Sequence, residues 1–382
     1  MYGEPRPTCR SGLRANGVGA SGSSDERPIM SWSLTVEVQM RQRFLASAGI
    51  VAVLIIGAIS VSGQTPARSS SSAAASKWTP PRTPDGKPDM QGIWDFRTVT
   101  PMERPAEFAN KAVLTPAEAA AYEKRIVASR NADTNRDKET SRGIINGTPA
   151  TADVALAYNE FWWDRGTKVA GNMRTSLVID PPDGKIPPLT PAAEKRLEEM
   201  DKRRERPAEG PEDRSVGERC MMGFNAGPPW APGGYNMNVQ VVQAPGYVVL
   251  MNEMVHSARV VPLDGRPFGN VRQWSGVSRG RWEGDTLVIE TKNFSTETSL
   301  RGSSPNLHLI ERLTLTDPET LVYEFTVSDP TTWTKPWTAQ IPMRKSQEQI
   351  FEYACHEGNY GMSGLLRGAR TVEKDQATST RP

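Results

Sequence analysis

Three histidines, His256, His308 and His356, occur in the chain, and each has a carboxylate close by in Glu253, Glu311 and Glu357. Imidazole next to carboxylate is a common acid–base arrangement. Glu253 and His256 are three residues apart, as are His308 and Glu311, so on a regular strand each pair points to opposite faces. A working dyad must cross strands, and His256 with Glu311 is the candidate catalytic pair. His256 shares the even positions of 248–260 with Val248, Leu250, Met254, Ala258 and Val260, although the odd positions Val249, Met251 and Val255 are apolar too. Glu311 falls in a row with Leu307, Leu309, Leu313 and Leu315. Desolvation there favours proton-transfer chemistry. The competing readings are a satisfied core or rim histidine, and a Glu311 held in a structural ion pair with an inward arginine or turned outward by a bulge.

A ligand site is the other chemistry these residues could support. Trp333 and Trp337 share parity in TTWTKPWTAQIP, and Trp274 and Trp282 flank a strand pair. Such rings line cavities for apolar or aromatic molecules, or simply fill a core. Arg259, Arg281 and Arg301, with Arg279, could hold a carboxylate or pair on the surface. His308 and His356 complete the candidate ligand-binding set. No metal site is expected, since His-x-His and His-Glu-x-x-His are both missing. No cofactor is expected either, because no Walker loop and no strand-borne dinucleotide fingerprint occurs.

The compartment is read from the stretch Met40–Gly63, MRQRFLASAGIVAVLIIGAISVSG. Two arginines, an apolar run and small residues before Gln64 form the layout of a secretory signal peptide. Residues 1–39 then read as a spurious or disordered extension, with Met40 as the initiator, and 64–77 as a Ser-rich spacer. A retained inner-membrane anchor is the alternative, because the run approaches bilayer-spanning length. Residues 1–63 hold six of the 46 Lys and Arg and four of the 44 Asp and Glu, which leaves 40 of each sign. A neutral chain lacks the basic surplus that nucleic acid demands. Of the three cysteines Cys9 precedes the signal, so Cys220 and Cys355 are left as the expected disulfide of an exported, periplasmic or secreted protein.

The elements that must position these groups follow from periodicity. Thr115-Pro116-Ala117-Glu118 opens a helix as a capping box, and Thr190 caps a second helix from Pro191 to about Arg206. Residues 78–235 read as a helical or irregular extension. From Asn236 the texture changes to short strands, expected at 238–244, 247–254, 256–262, 277–283, 286–292, 307–316, 320–328, 333–341 and 348–354. On 320–328 the odd residues Leu321, Tyr323, Phe325 and Val327 face inward. Tight links at Pro245-Gly246, Glu283-Gly284-Asp285 and Asp317-Pro318-Glu319 predict an antiparallel up-and-down barrel over 236–370, with a two-sheet sandwich as alternative. Residues 371–382 read as a disordered tail.

The motifs TPDGKPDMQGIW, GRWEGDTLVIET, DPTTWTKPW and YACHEGNYGM together resemble a widespread family of uncharacterised exported bacterial proteins. That resemblance covers most of 78–370 and implies export and a shared fold, with no activity attached. The meander resembles calycin and lipocalin-like barrels at fold level alone. The functional expectation is an exported β-barrel that binds a small apolar or aromatic molecule. Its rivals are an acid–base hydrolase, lyase or isomerase using His256 and Glu311, and an envelope-anchored structural or interaction protein. Membrane contact is expected only through an uncleaved Met40–Gly63 segment.

Overall fold

Period-two alternation builds the sheet. In β10 (His308–Asp317), β11 (Thr320–Ser328) and β12 (Trp337–Ser346) every second side chain is buried, and the register Glu311↔Phe325↔Ala339 stacks the inward rows across three strands. The computed structural model describes residues 78–130, 163–297 and 300–379, with the backbone of two short paired strands, β2 (Ile144–Ile145) and β3 (Thr148–Pro149). The expected leader, signal and spacer (1–77) and the end of the tail (380–382) lie outside the described residues. Among the described residues no helix is long and apolar enough to cross a membrane.

β5 (Asn238–Ala244), β6 (Tyr247–Asn252) and β7 (Ala258–Pro262) form one meander, and β8 (Val277–Glu283), β9 (Thr286–Lys292), β10, β11 and β12 form another. β1 (Gly92–Asp95) pairs with β5 and β12 and joins them, while β4 (Val178–Asp180) pairs with the start of β12. The result is a ten-stranded antiparallel sheet with β7 and β8 as its unpaired ends. The sheet is not closed, which fits an open barrel or a sandwich. Its ends nevertheless touch: a Cβ on Gly280 of β8 would lie 2.8 Å from Val261 Cγ1 of β7. Trp94, Trp230, Trp333, Trp337, Tyr323 and Phe325 fill the interior.

The capping box at Thr115 and Glu118 opens α1 (Pro116–Arg130), where Thr115 N donates to Glu118 at 2.8 Å. Thr190 caps α2 (Pro191–Glu205) by accepting from Ala193 N at 3.2 Å. Three expectations need correction. The strand expected at 333–341 begins only at Trp337, because Asp329-Pro330-Thr331-Thr332 is a turn and Pro336 cannot donate to a ladder. No strand forms at 348–354. The tail is helical to Ser379 in α3 (Tyr360–Ser379), whose Arg370 donates to Ala208 O and Glu209 O at 2.9 Å.

Asp329 shows what anchors the first correction. Its buried carboxylate accepts from Ser304 N and Oγ, from Thr331 N and Oγ1, and from Thr332 Oγ1, all within 2.7–3.0 Å. Burial pushes its pKa up, and these donated bonds override that and hold it below the usual carboxylate range. Its folded value is depressed, so its stabilisation is present above the unfolded value of ~4 and is lost as pH falls through the folded one. Asp329→Asn should therefore flatten the acid limb of stability and cost roughly 2 kcal/mol at neutral pH, read by urea titration across pH.

Candidate functional site

Glu311 and His256 are not brought together. Glu311 is fully buried, and its two oxygens take a bidentate pair from the Arg259 guanidinium, with the Nη2 to Oε1 bond at 2.8 Å. The Tyr323 hydroxyl donates to Oε1 at 2.8 Å and accepts from Trp230 N at 3.2 Å. Arg259 loses solvation here, but the Glu311 charge overrides that loss and raises its pKa. Burial first, and the Glu311 charge second, push the Tyr323 phenol well above its ordinary value, so it remains a donor. Both carboxylate oxygens are thus engaged, and the group is a structural ion pair rather than a general base.

The reason lies in one turn. Met254–His256 is a short helical turn in which Val255 and His256 both have positive φ, 54° and 48°. The turn restarts the strand parity. On β6 the even residues Val248, Leu250 and Asn252 are buried, whereas on β7 the odd residues Arg259 and Val261 are buried and Ala258 and Val260 are exposed. Arg259 therefore occupies the inward position expected for His256. His256 Nδ1 instead accepts from Tyr353 N at 3.1 Å, and Glu253 accepts from Asn238 Nδ2 at 3.0 Å.

The other candidates are dispersed. Arg281 pairs with Glu283 at 2.7 Å, Arg301 lies 3.7 Å from Glu103, and both are exposed. His308 Nε2 meets Glu290 Oε1 at 2.9 Å on the outer face. Trp333 and Trp337 pack edge to face with centroids 5.8 Å apart, inside the core. His356 is exposed beside Cys355. Among the described residues no cluster of His, Cys, Asp and Glu could hold a metal ion.

What the structure does assemble is a cleft of about 390 Å³ beside the Cys220–Cys355 disulfide. Met222 and Phe224 come from the loop between α2 and β5, Met254 and Val255 from the β6–β7 turn, and Tyr353 and Cys355 from the strap between β12 and α3. Tyr235 stacks with Tyr353 at 6.2 Å and meets Phe224 edge-on at 5.4 Å. Gly223 is pressed so close that a Cβ would sit 1.9 Å from Met254 Cγ. Polar groups reach the rim through Arg204, Ser215 and Glu218. A second cavity, of about 340 Å³, lies between Thr98–Met102 and α1.

No family model, curated protein or solved structure matches the chain.

The cleft therefore has to be read from its own chemistry. It offers aromatic faces and thioethers, which bind rings by dispersion and S–π contact. Its one hydroxyl–carboxylate contact among the described residues, Ser215 Oγ to Glu218 Oε2 at 2.8 Å, belongs to the cap of a turn. A β-branched residue at positive φ costs about 1–3 kcal/mol, and such positions gather at binding sites. Val255 is one, and it lines this cleft. The cleft residues escaped the sequence reading because four distant segments supply them. The signal that points there is glycine density in MMGFNAGPPWAPGG directly after Cys220.

Proposed function

We propose that this is an exported protein, periplasmic or secreted, that binds a small apolar or aromatic molecule in the cleft beside Cys220–Cys355. In this reading the fold is a calycin-like barrel left open between β7 and β8, and its binding site has moved from the lumen to the rim. The observation that carries the proposal is the contrast between an interior filled by tryptophans and a cleft of about 390 Å³ lined by Met222, Phe224, Tyr235, Met254 and Tyr353. Pockets of this size with few polar groups suit small ring-bearing ligands. The disulfide fits the oxidising compartment that the Met40–Gly63 signal implies.

The neutral fluorescent probe phenylnaphthylamine tests this directly. The full chain should bind it saturably at one site, and Phe224→Ala and Tyr353→Ala should each weaken binding by about tenfold, the effect of removing one stacked ring at about 1–1.5 kcal/mol. Saturable binding that ignores both substitutions would move the site elsewhere. An absence of binding would favour the envelope-anchored structural role, which shares the filled interior.

A further inference from the structure

We infer that the cleft is built for an aromatic acid: a planar ring seated on Phe224, Tyr235 and Tyr353, with its carboxylate turned toward Arg204. The inference rests on the binding reading above and adds the charge of the ligand. Arg204 lies one residue before the end of α2 and lines the cleft. Among the described residues its guanidinium donates to no carboxylate or carbonyl. Two of the basic neighbours at the same helix end, Lys202 and Arg206, are spoken for. Lys202 pairs with Glu198 at 2.6 Å, and Arg206 pairs with Glu209 at 2.6 Å and Asp213 at 2.9 Å.

A second arginine lies beside the helix end that carries Arg204. Arg214 is buried, and it meets carbonyl oxygens alone: those of Asp213 and Arg206 at 3.0 Å and of Arg203 at 3.4 Å. Carbonyl dipoles satisfy its donors without cancelling its charge. Glu218 is the carboxylate of the lining; it keeps its charge, but its Oε2 is turned to Ser215 N and Oγ at 2.9 and 2.8 Å as the cap of the turn that follows. An anion approaching the rings therefore finds one uncommitted guanidinium in the lining, on a helix end whose carbonyls Arg214 also meets. Guanidinium is the donor best matched to a planar carboxylate.

The test displaces phenylnaphthylamine from the full chain with naphthoate and with its neutral counterpart naphthalenemethanol. Naphthoate should displace the probe at about five- to tenfold lower concentration, the range of a partly exposed charge-assisted pair. The preference should shrink as salt is added. Arg204→Gln should remove it, bringing naphthoate and the alcohol to equal displacement, and Arg204→Lys should keep part of it. Equal displacement by both compounds, or a preference that survives Arg204→Gln, overturns the inference while the binding reading stands. If the probe itself does not bind, both fall together.

Discussion

Glu311→Ala should destabilise the folded chain by about 3–5 kcal/mol, the cost of leaving a buried charge without its partner. Arg259 has nowhere to take its charge: its side chain is 9 % exposed, sits 5.5 Å over the Trp230 ring and otherwise reaches the Thr291 hydroxyl at 3.5 Å. The Tyr323 hydroxyl loses its acceptor in the same step. The pair also has a mechanical place in the fold, because Arg259 belongs to β7, one unpaired end of the sheet, and Glu311 to β10, near the other. The ion pair thus ties the sheet's two ends across the interior where no hydrogen-bonded ladder closes them. Replacing both residues, Arg259→Met with Glu311→Leu, should recover most of the loss, since an apolar pair of similar volume is often neutral or better. Chemical denaturation of the single and double variants reads the difference. A Glu311→Ala chain as stable as the parent would mean that water reaches Arg259 and that the interior is not dry.

Much of the sheet could be read in advance because alternation is a local signal. The inward rows of β10 and β11, the hairpin at Glu283-Gly284-Asp285 and the cap at Thr190 need only neighbours in sequence, and all are present. The parts that could not be read depend on distant partners. β1 has four residues and β4 three, too short for any period to show, yet β1 joins the two meanders. The segment around Phe351 alternates well enough to resemble a strand, but its Tyr353 N is taken by His256 rather than by a ladder. The final helix carries Gly361, Gly364 and Gly368, which depress helix propensity and hide a stripe in which Ala369 is buried. For the site the lesson is sharper. Glu311 on a leucine face was visible, and so was the possibility of an inward arginine, but choosing Arg259 over His256 required knowing that Val255 and His256 turn with positive φ. Few residues besides glycine adopt that conformation readily, so sequence gives no warning of it.

Removing the crosslink joins stability to binding. Cys220 and Cys355 are 135 residues apart, and closing a loop of that length restrains the unfolded chain by about 5 kcal/mol in the chain-entropy picture. The double variant Cys220→Ser with Cys355→Ser should therefore lose stability on that order, comparable to the loss in Glu311→Ala. The two variants separate in what else they do. Glu311 lies on the buried face of the sheet and outside the cleft lining, so phenylnaphthylamine should bind the Glu311→Ala chain normally wherever it remains folded. Cys355 and Tyr353 belong to the strap, which is otherwise fixed to the body by the Tyr353 N to His256 bond, the Tyr353 hydroxyl contact with Tyr235 at 3.4 Å, Asn359 Nδ2 to Glu218 O at 2.9 Å and the exposed Arg97–Glu348 pair at 3.2 Å. These contacts, each worth about 1 kcal/mol or less net, hold that wall far less firmly once the covalent tie is gone. The serine variant should thus bind the probe at least about tenfold more weakly even in cold buffer without denaturant, where circular dichroism still reports a folded sheet. Affinity that persists in that folded chain would show that the strap does not form a wall of the site, and it would place the ligand on Phe224 and Met254 alone.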